Sequence, residues 1–212
     1  MATITAIEKQ KRRPRLDIEL DGGLAFSIRL DLAAERHLAT GQTLTAAARR
    51  ELEAEDGRRE AVAAALRLIA SAPRSEKDLR QRLRRRDLPP AAVDAAVARL
   101  RELGYLNDAA YASFFVEARQ ASTPRSRRAL AFELARKGVD RETSQAAVAA
   151  LSDEEAAYAA AQRRLQALRG LDREAFKRRL GAFLTSRGFG YGVARATIDR
   201  CLAELSEADA AT

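Results

Sequence analysis

Few residues in this sequence could do chemistry, and their spacing excludes most of what they could do. His37 is the only histidine and Cys201 the only cysteine in the 212 residues, so no His/Cys metal set and no Cys–His nucleophile pair can be assembled. A solitary histidine is usually structural. Cys201 lies on a helical pattern between Ile198 and Leu205 and reads as a small buried hydrophobe in a reduced compartment. The carboxylates Glu51, Glu53, Glu55 and Asp56 lie close in sequence, but adjacent residues leave a helix on different sides, so they read as solvated surface. Gly188, Gly190 and Gly192 have the wrong spacing for a phosphate-cradling loop and follow a helix rather than a strand. No enzyme, metal or cofactor is expected.

What remains is cationic. Thirty-eight Lys and Arg against thirty Asp and Glu leave a formal net charge of +8, which favours a polyanionic partner. No apolar stretch approaches the ~20 residues of a membrane span. With no signal-like leader, the expectation is a soluble cytoplasmic monomer.

The elements that must position these cations are almost all helical, since Ala, Leu, Arg and Glu dominate and aromatics are only 5%. The exception is the N-terminus. Leu16, Ile18 and Leu20, then Leu24, Phe26, Ile28 and Leu30, alternate with polar residues around Asp21-Gly22-Gly23, a hairpin signal, and Thr3 to Ile7 adds a third short strand. The basic run from Lys9 to Arg15 between them reads as an exposed, solvated connection. A helix capped at Thr45 is expected to break near Asp56-Gly57 and resume at Arg58.

Beyond this point the chain repeats. A shift of 51 residues lays Ser75 on Ser126, Leu79 on Leu130, Leu83 on Leu134, Leu88 on Val139 and Val97 on Val148. A further 50 lays Leu130 on Leu180, Leu134 on Leu184, Gly138 on Gly188, Val139 on Phe189 and Val148 on Ile198. Helix stops and caps fall at Pro89-Pro90, Gly104, Asn107 or Asp108, Pro124 in a first helical turn, Gly138 with Asp140, Ser152 with Glu155, and Gly170 to Asp172. The fold expected is mainly α: three tandem three-helix units in an elongated arrangement behind a small β-hairpin segment. Its segments are a hairpin at 1–45, a connecting helix at 46–57, units at 58–104, 105–151 and 152–206, and a disordered acidic tail at 207–212.

Placing Leu79 and Leu83 inward puts Lys77, Gln81, Arg84 and Arg85 on the opposite, basic face. The repeat carries Lys77 onto Arg128 and Arg178, and these three are the leading binding candidates, with Arg84, Arg85 and Arg136 beside them. A second set, Arg86, Lys137 and Arg187, also coincides, but it ends helices, where cations are favourable on dipole grounds alone. Helix-turn-helix base reading is disfavoured, because the third helices carry mainly Ala, Val and Asp, as at Asp94 to Val97 and Gln145 to Val148.

Arg74-Ser75-Glu76-Lys77-Asp78-Leu79-Arg80, then Leu103-Gly104-Tyr105-Leu106-Asn107-Asp108 with Tyr111-Ala112, resemble the signature region of the RecX family. Glu133 to Val139 and Leu184 to Phe189 resemble that family's second and third units. Asn107 stands where the family more often has Asp, and either residue caps a helix. The resemblance covers roughly residues 58–205. It implies a non-enzymatic protein that lies along the groove of the RecA filament on single-stranded DNA and dampens strand exchange, ATP hydrolysis and co-protease activity, within recombination, repair and the SOS response. Weak direct DNA contact is a further expectation, and the alternative is an autonomous, sequence-non-specific DNA-binding protein. The N-terminal segment resembles an extension of longer family members and is expected to pack on the first unit.

Overall fold

The computed structural model describes residues 1–210, and the last two residues of the expected acidic tail lie outside the described residues. Period-two alternation gives way to helical periodicity at residue 30, and the backbone follows it. Strands β1 (Ala2–Lys9), β2 (Arg15–Leu20) and β3 (Gly23–Arg29) are joined by a short helix α1 (Leu30–Glu35) to β4 (Thr43–Leu44). They form one antiparallel sheet in the order β3-β2-β1-β4. The β2–β3 turn places Asp21 and Gly22 at φ 51° and 87°, the positive values a tight hairpin turn needs. Ile4, Ile18, Phe26, Ile28, Leu32 and Leu52 form the core beneath the sheet. The alternation fails at Leu30, which is exposed and opens α1, and at Leu24, which is exposed within β3. A register irregularity after Ile18 pairs Leu24 with Glu19 and moves Leu24 off the buried face.

Helix α2 runs unbroken from Ala46 to Ser71, capped by the Thr45 hydroxyl accepting from the Ala48 N–H at 3.1 Å. The break expected at Asp56-Gly57 does not occur, because both residues have a packing role. Gly57 is buried against the start of α4 (Pro90–Glu102), where even a Cβ would lie at ordinary contact distance, 3.5 Å from Pro89 and 3.7 Å from Ala92. Asp56 is buried rather than solvated. It pairs with Arg15 at 2.6 Å and accepts the Arg29 N–H at 2.7 Å, tying α2 to the sheet. The basic run before β2 is therefore exposed from Lys11 to Arg13 but not at Arg15.

The remaining helices are α3 (Glu76–Arg84), α5 (Asp108–Ser122), α6 (Arg127–Lys137), α7 (Arg141–Val148), α8 (Asp153–Leu168), α9 (Arg173–Ser186) and α10 (Tyr191–Ala210). Helix α10 enters the segment expected as a disordered tail. Pro124 lies in the α5–α6 loop, two residues ahead of the Ser126 cap, not in a first helical turn. The chain divides into two compact units, residues 1–73 with 79–106 and residues 74–78 with 107–212. In the first, Ala61, Ala92 and Ala96 bring α2 and α4 close, beside Leu79, Leu83, Val93 and Val97. In the second, Leu130, Leu134, Val139 and Val148 form one core, and Leu180, Leu184, Phe189 and Ile198 form another. The repeat-equivalent leucines are fully buried in all three three-helix domains.

Candidate binding surface

Every candidate cation stands on or just after the second helix of a three-helix domain, α3, α6 or α9, so the anchoring of these helices sets the surface. Within the second compact unit the anchoring occurs twice, with serine and aspartate in the same roles but a different donor at the serine. The Ser75 hydroxyl accepts the Asp78 N–H at 3.2 Å and donates to the Lys137 carbonyl at 2.6 Å. Asp108, the first residue of α5, accepts the Glu76 N–H at 2.8 Å. One domain later, the Ser126 hydroxyl accepts the Ala129 N–H at 3.2 Å, the Ser126 N–H donates to the Arg187 carbonyl at 3.2 Å, and Asp153, the first residue of α8, accepts the Arg127 N–H at 2.7 Å. Each joint thus sets the N-terminus of one second helix against the C-terminus of the next, with a carboxylate from the following domain capping it.

Glycine closes both joints. Gly138 has φ 90°, and a Cβ there would fall 2.4 Å from the Lys77 Cβ; Gly188 has φ 89°, and a Cβ would fall 2.7 Å from the Ser126 Oγ and Ala129 Cβ. The methylenes of Lys77 therefore lie on Gly138, while its residue as a whole is exposed. In the first domain the equivalent position is Asp87, still left-handed at φ 54°.

Lys77 and Arg128 each stand in the first turn of their helix. That is the positive end of the macrodipole, where a cation is disfavoured by about 0.3–1 kcal/mol. Helix stability therefore does not account for them. Arg178 is equivalent in core register but sits a turn further in, because α9 begins earlier, at an Asp172 cap. Lys77, Arg128 and Arg178 make no ion pair among the described residues, and neither do Arg84, Arg85 and Arg136, all six being exposed.

The second set is less uniform. Lys137 and Arg86 are exposed at helix ends, and Arg86 lines a cleft of about 750 Å³ with Arg13 and Arg67. Arg187 is half-buried. Its guanidinium lies 4.8 Å from the Phe183 ring centre, and Arg164 lies 5.5 Å from the same ring. Burial, with Arg125, Arg163 and Arg164 nearby, pushes the Arg187 guanidinium below its ordinary value. Arg163 is held in place by donating to the carbonyls of Ser122 and Ala121. The Arg164–Phe183–Arg187 stack had no separate signal in the repeat, since the positions equivalent to Phe183 are Arg82 and Glu133 and carry no ring.

The acidic cluster on α2 is fully engaged by arginine. Glu53 pairs with Arg49, and Glu55 with Arg58 and Arg59, whose hydrogen bonds hold the Glu55 carboxyl below its usual range. Carboxylates so neutralised are structural.

Family models described as the first, second and third three-helix domains of RecX match residues 61–100, 107–148 and 152–198. The chain belongs to the RecX family. Proteins named Regulatory protein RecX are similar to it: that of Streptomyces coelicolor is 36% identical over 170 residues, covering 79% of this chain and 90% of that protein. That of Thermobifida fusca is 41% identical over 143 residues, covering 66% and 77%. That of Listeria monocytogenes is 28% identical over 212 residues, covering 98% and 79%. A crystal structure of regulatory protein RecX has the same fold, with a TM-score of 0.67 over 94% of this chain and all of that one at 24% identity. RecX from Lactobacillus salivarius superposes with a TM-score of 0.59 over 69% of this chain and 97% of that one at 20% identity. The chain is thus a RecX-type regulator built from three three-helix domains behind an antiparallel strand segment. Among the described residues no helix is long and apolar enough to cross a membrane.

Proposed function

We propose that this chain restrains homologous recombination by binding the RecA filament on single-stranded DNA, dampening strand exchange, ATP hydrolysis and co-protease activity without catalysing a reaction itself. It acts in the cytoplasm as a monomer, with no cofactor. The observation that carries this reading is the placement of Lys77 and Arg128, exposed, unpaired among the described residues and set at helix N-termini that disfavour them. Cations so placed are available to an anionic partner, and recurrence in successive domains suits a partner that itself repeats. Arg84, Arg85, Arg136 and Arg178 extend the contact, with Arg86, Lys137 and Arg187 at the helix ends.

The test compares affinity for bare single-stranded DNA with affinity for the same DNA coated with RecA. Preference for the coated form is the expected result. Equal affinity would refute the filament reading and favour an autonomous, sequence-non-specific DNA binder, a reading that the Arg164–Phe183–Arg187 stack supports on its own.

A further inference from the structure

Phe132 is an anomaly on α6. It is 66% exposed, although the same helix buries Leu130, Ala131 and Leu134 in its core. Its neighbours one turn away on either side are Arg128 and Arg136, both exposed and without an ion pair among the described residues. Four residues advance a helix by about 6 Å, so the ring sits midway between two cations roughly 12 Å apart along the axis. Phe132 and Arg136 line a groove of about 510 Å³ whose other charged residues are Arg119, Arg125, Lys137 and Glu133. Four cations therefore meet one carboxylate, and Glu133 is already held between Arg119 at 3.0 Å and Arg125 at 3.1 Å.

We propose that Phe132, flanked by Arg128 and Arg136, is a stacking platform for an unpaired base of single-stranded nucleic acid, with the groove cations receiving the adjoining phosphates. The occupant must be polyanionic and must also offer a flat apolar face. A single strand provides both, because an unpaired base has a free π-face beside each phosphate. Duplex keeps its bases stacked on one another and offers the ring nothing. A purely acidic segment such as poly-glutamate satisfies the cations but gives the exposed phenyl ring no apolar partner.

The repeat reinforces the assignment. The positions equivalent to Phe132 are Gln81 and Ala182, so the ring is not a framework requirement of a second helix. The groove also runs into the two joints: Lys137 precedes Gly138, on which Lys77 lies, and Arg125 neighbours Arg187. The platform thus stands on α6 between cations already present at both of its ends. It goes beyond the filament reading and does not depend on it, since the test ligand is bare oligonucleotide.

The experiment is fluorescence anisotropy of the full chain with labelled oligo(dT), with a hairpin duplex of equal phosphate count and with a poly-glutamate peptide, each over a salt series. Phe132→Ala should weaken oligo(dT) binding by about 5- to 150-fold, the worth of one stacked base. It should leave the salt slope and duplex binding unchanged. Phe132→Trp should bind as tightly as the parent or more so, which separates stacking from a folding defect. Arg136→Ala should instead reduce the salt slope by about 0.7. The proposal is overturned if the parent fails to bind oligo(dT) at low salt. Equal loss of duplex or peptide binding in Phe132→Ala, or no loss at all, overturns it as well.

Discussion

At Gly188 a methyl group would collide with a backbone-anchored serine and an alanine of the preceding domain, neither of which can swing away. The left-handed backbone adds a cost of about 1–2 kcal/mol for any L side chain, and forced overpacking adds about 1–3 kcal/mol more. Gly188→Ala should therefore lower stability by several kcal/mol in chemical denaturation. Gly104→Ala, at φ 74° with nothing within 4 Å of a new Cβ, should cost only the backbone part. Similar losses at the two sites would mean that the joint does not pack as described. Cys201 behaves as a buried group in the same sense. Burial first, and Glu204 second, raise its thiol from 9.0 to about 11. Since the folded state holds the proton more tightly, this contribution to stability is intact below pH 9 and lost as pH rises towards 11. At pH 8 a thiol reagent should label Cys201 only at the rate of unfolding; fast labelling of native protein would contradict its burial.

The second helices are held by leucine pairs that repeat through the chain. Leu83, Leu134 and Leu184 are fully buried, so each Leu→Ala change should cost about 2–5 kcal/mol, and a neutral result at one would show that its domain is packed differently. Those pairs were legible because burial on α3, α6 and α9 follows from a 3.6-residue period in sequence. The continuity of α2 was not legible, because Asp56 and Gly57 are locally poor helix residues. The partners that hold them in the helix, Arg15 and Arg29 for Asp56 and the packing of Pro89 and Ala92 over Gly57, are far away in sequence. Asp56→Ala should cost about 3 kcal/mol by leaving Arg15 partly buried and unpaired. Glu102→Ala, which breaks an exposed pair with Arg99, should change stability by less than about 0.5 kcal/mol.

Across the whole molecule, the cations recur at equivalent positions, and their effect on binding should be collective. Lys77→Met keeps the stem that covers Gly138 while removing the charge. Combined with Arg128→Glu and Arg178→Glu, it should leave the circular dichroism spectrum unchanged and abolish inhibition of RecA-promoted strand exchange, with each single change giving a partial loss. A folded triple variant that inhibits as well as the parent would move the contact to another face. These positions could be found from sequence because repeats expose substitutions that conserve charge, whereas Phe132 and the Arg164–Phe183–Arg187 stack could not, since exposure of a ring is decided by tertiary packing. The joints carry one more consequence. A second helix that continues the series needs a serine cap at its start and a glycine just past its end. Only α6 has both, in Ser126 and Gly138. The first domain has Asp87 in place of the glycine, and the third has Phe176 in place of the serine. The central domain therefore carries both halves of the joint and is the extensible link. Duplicating residues 105–151 in tandem should yield a longer, fully folded protein, whereas duplicating either outer domain should leave a joint that cannot close.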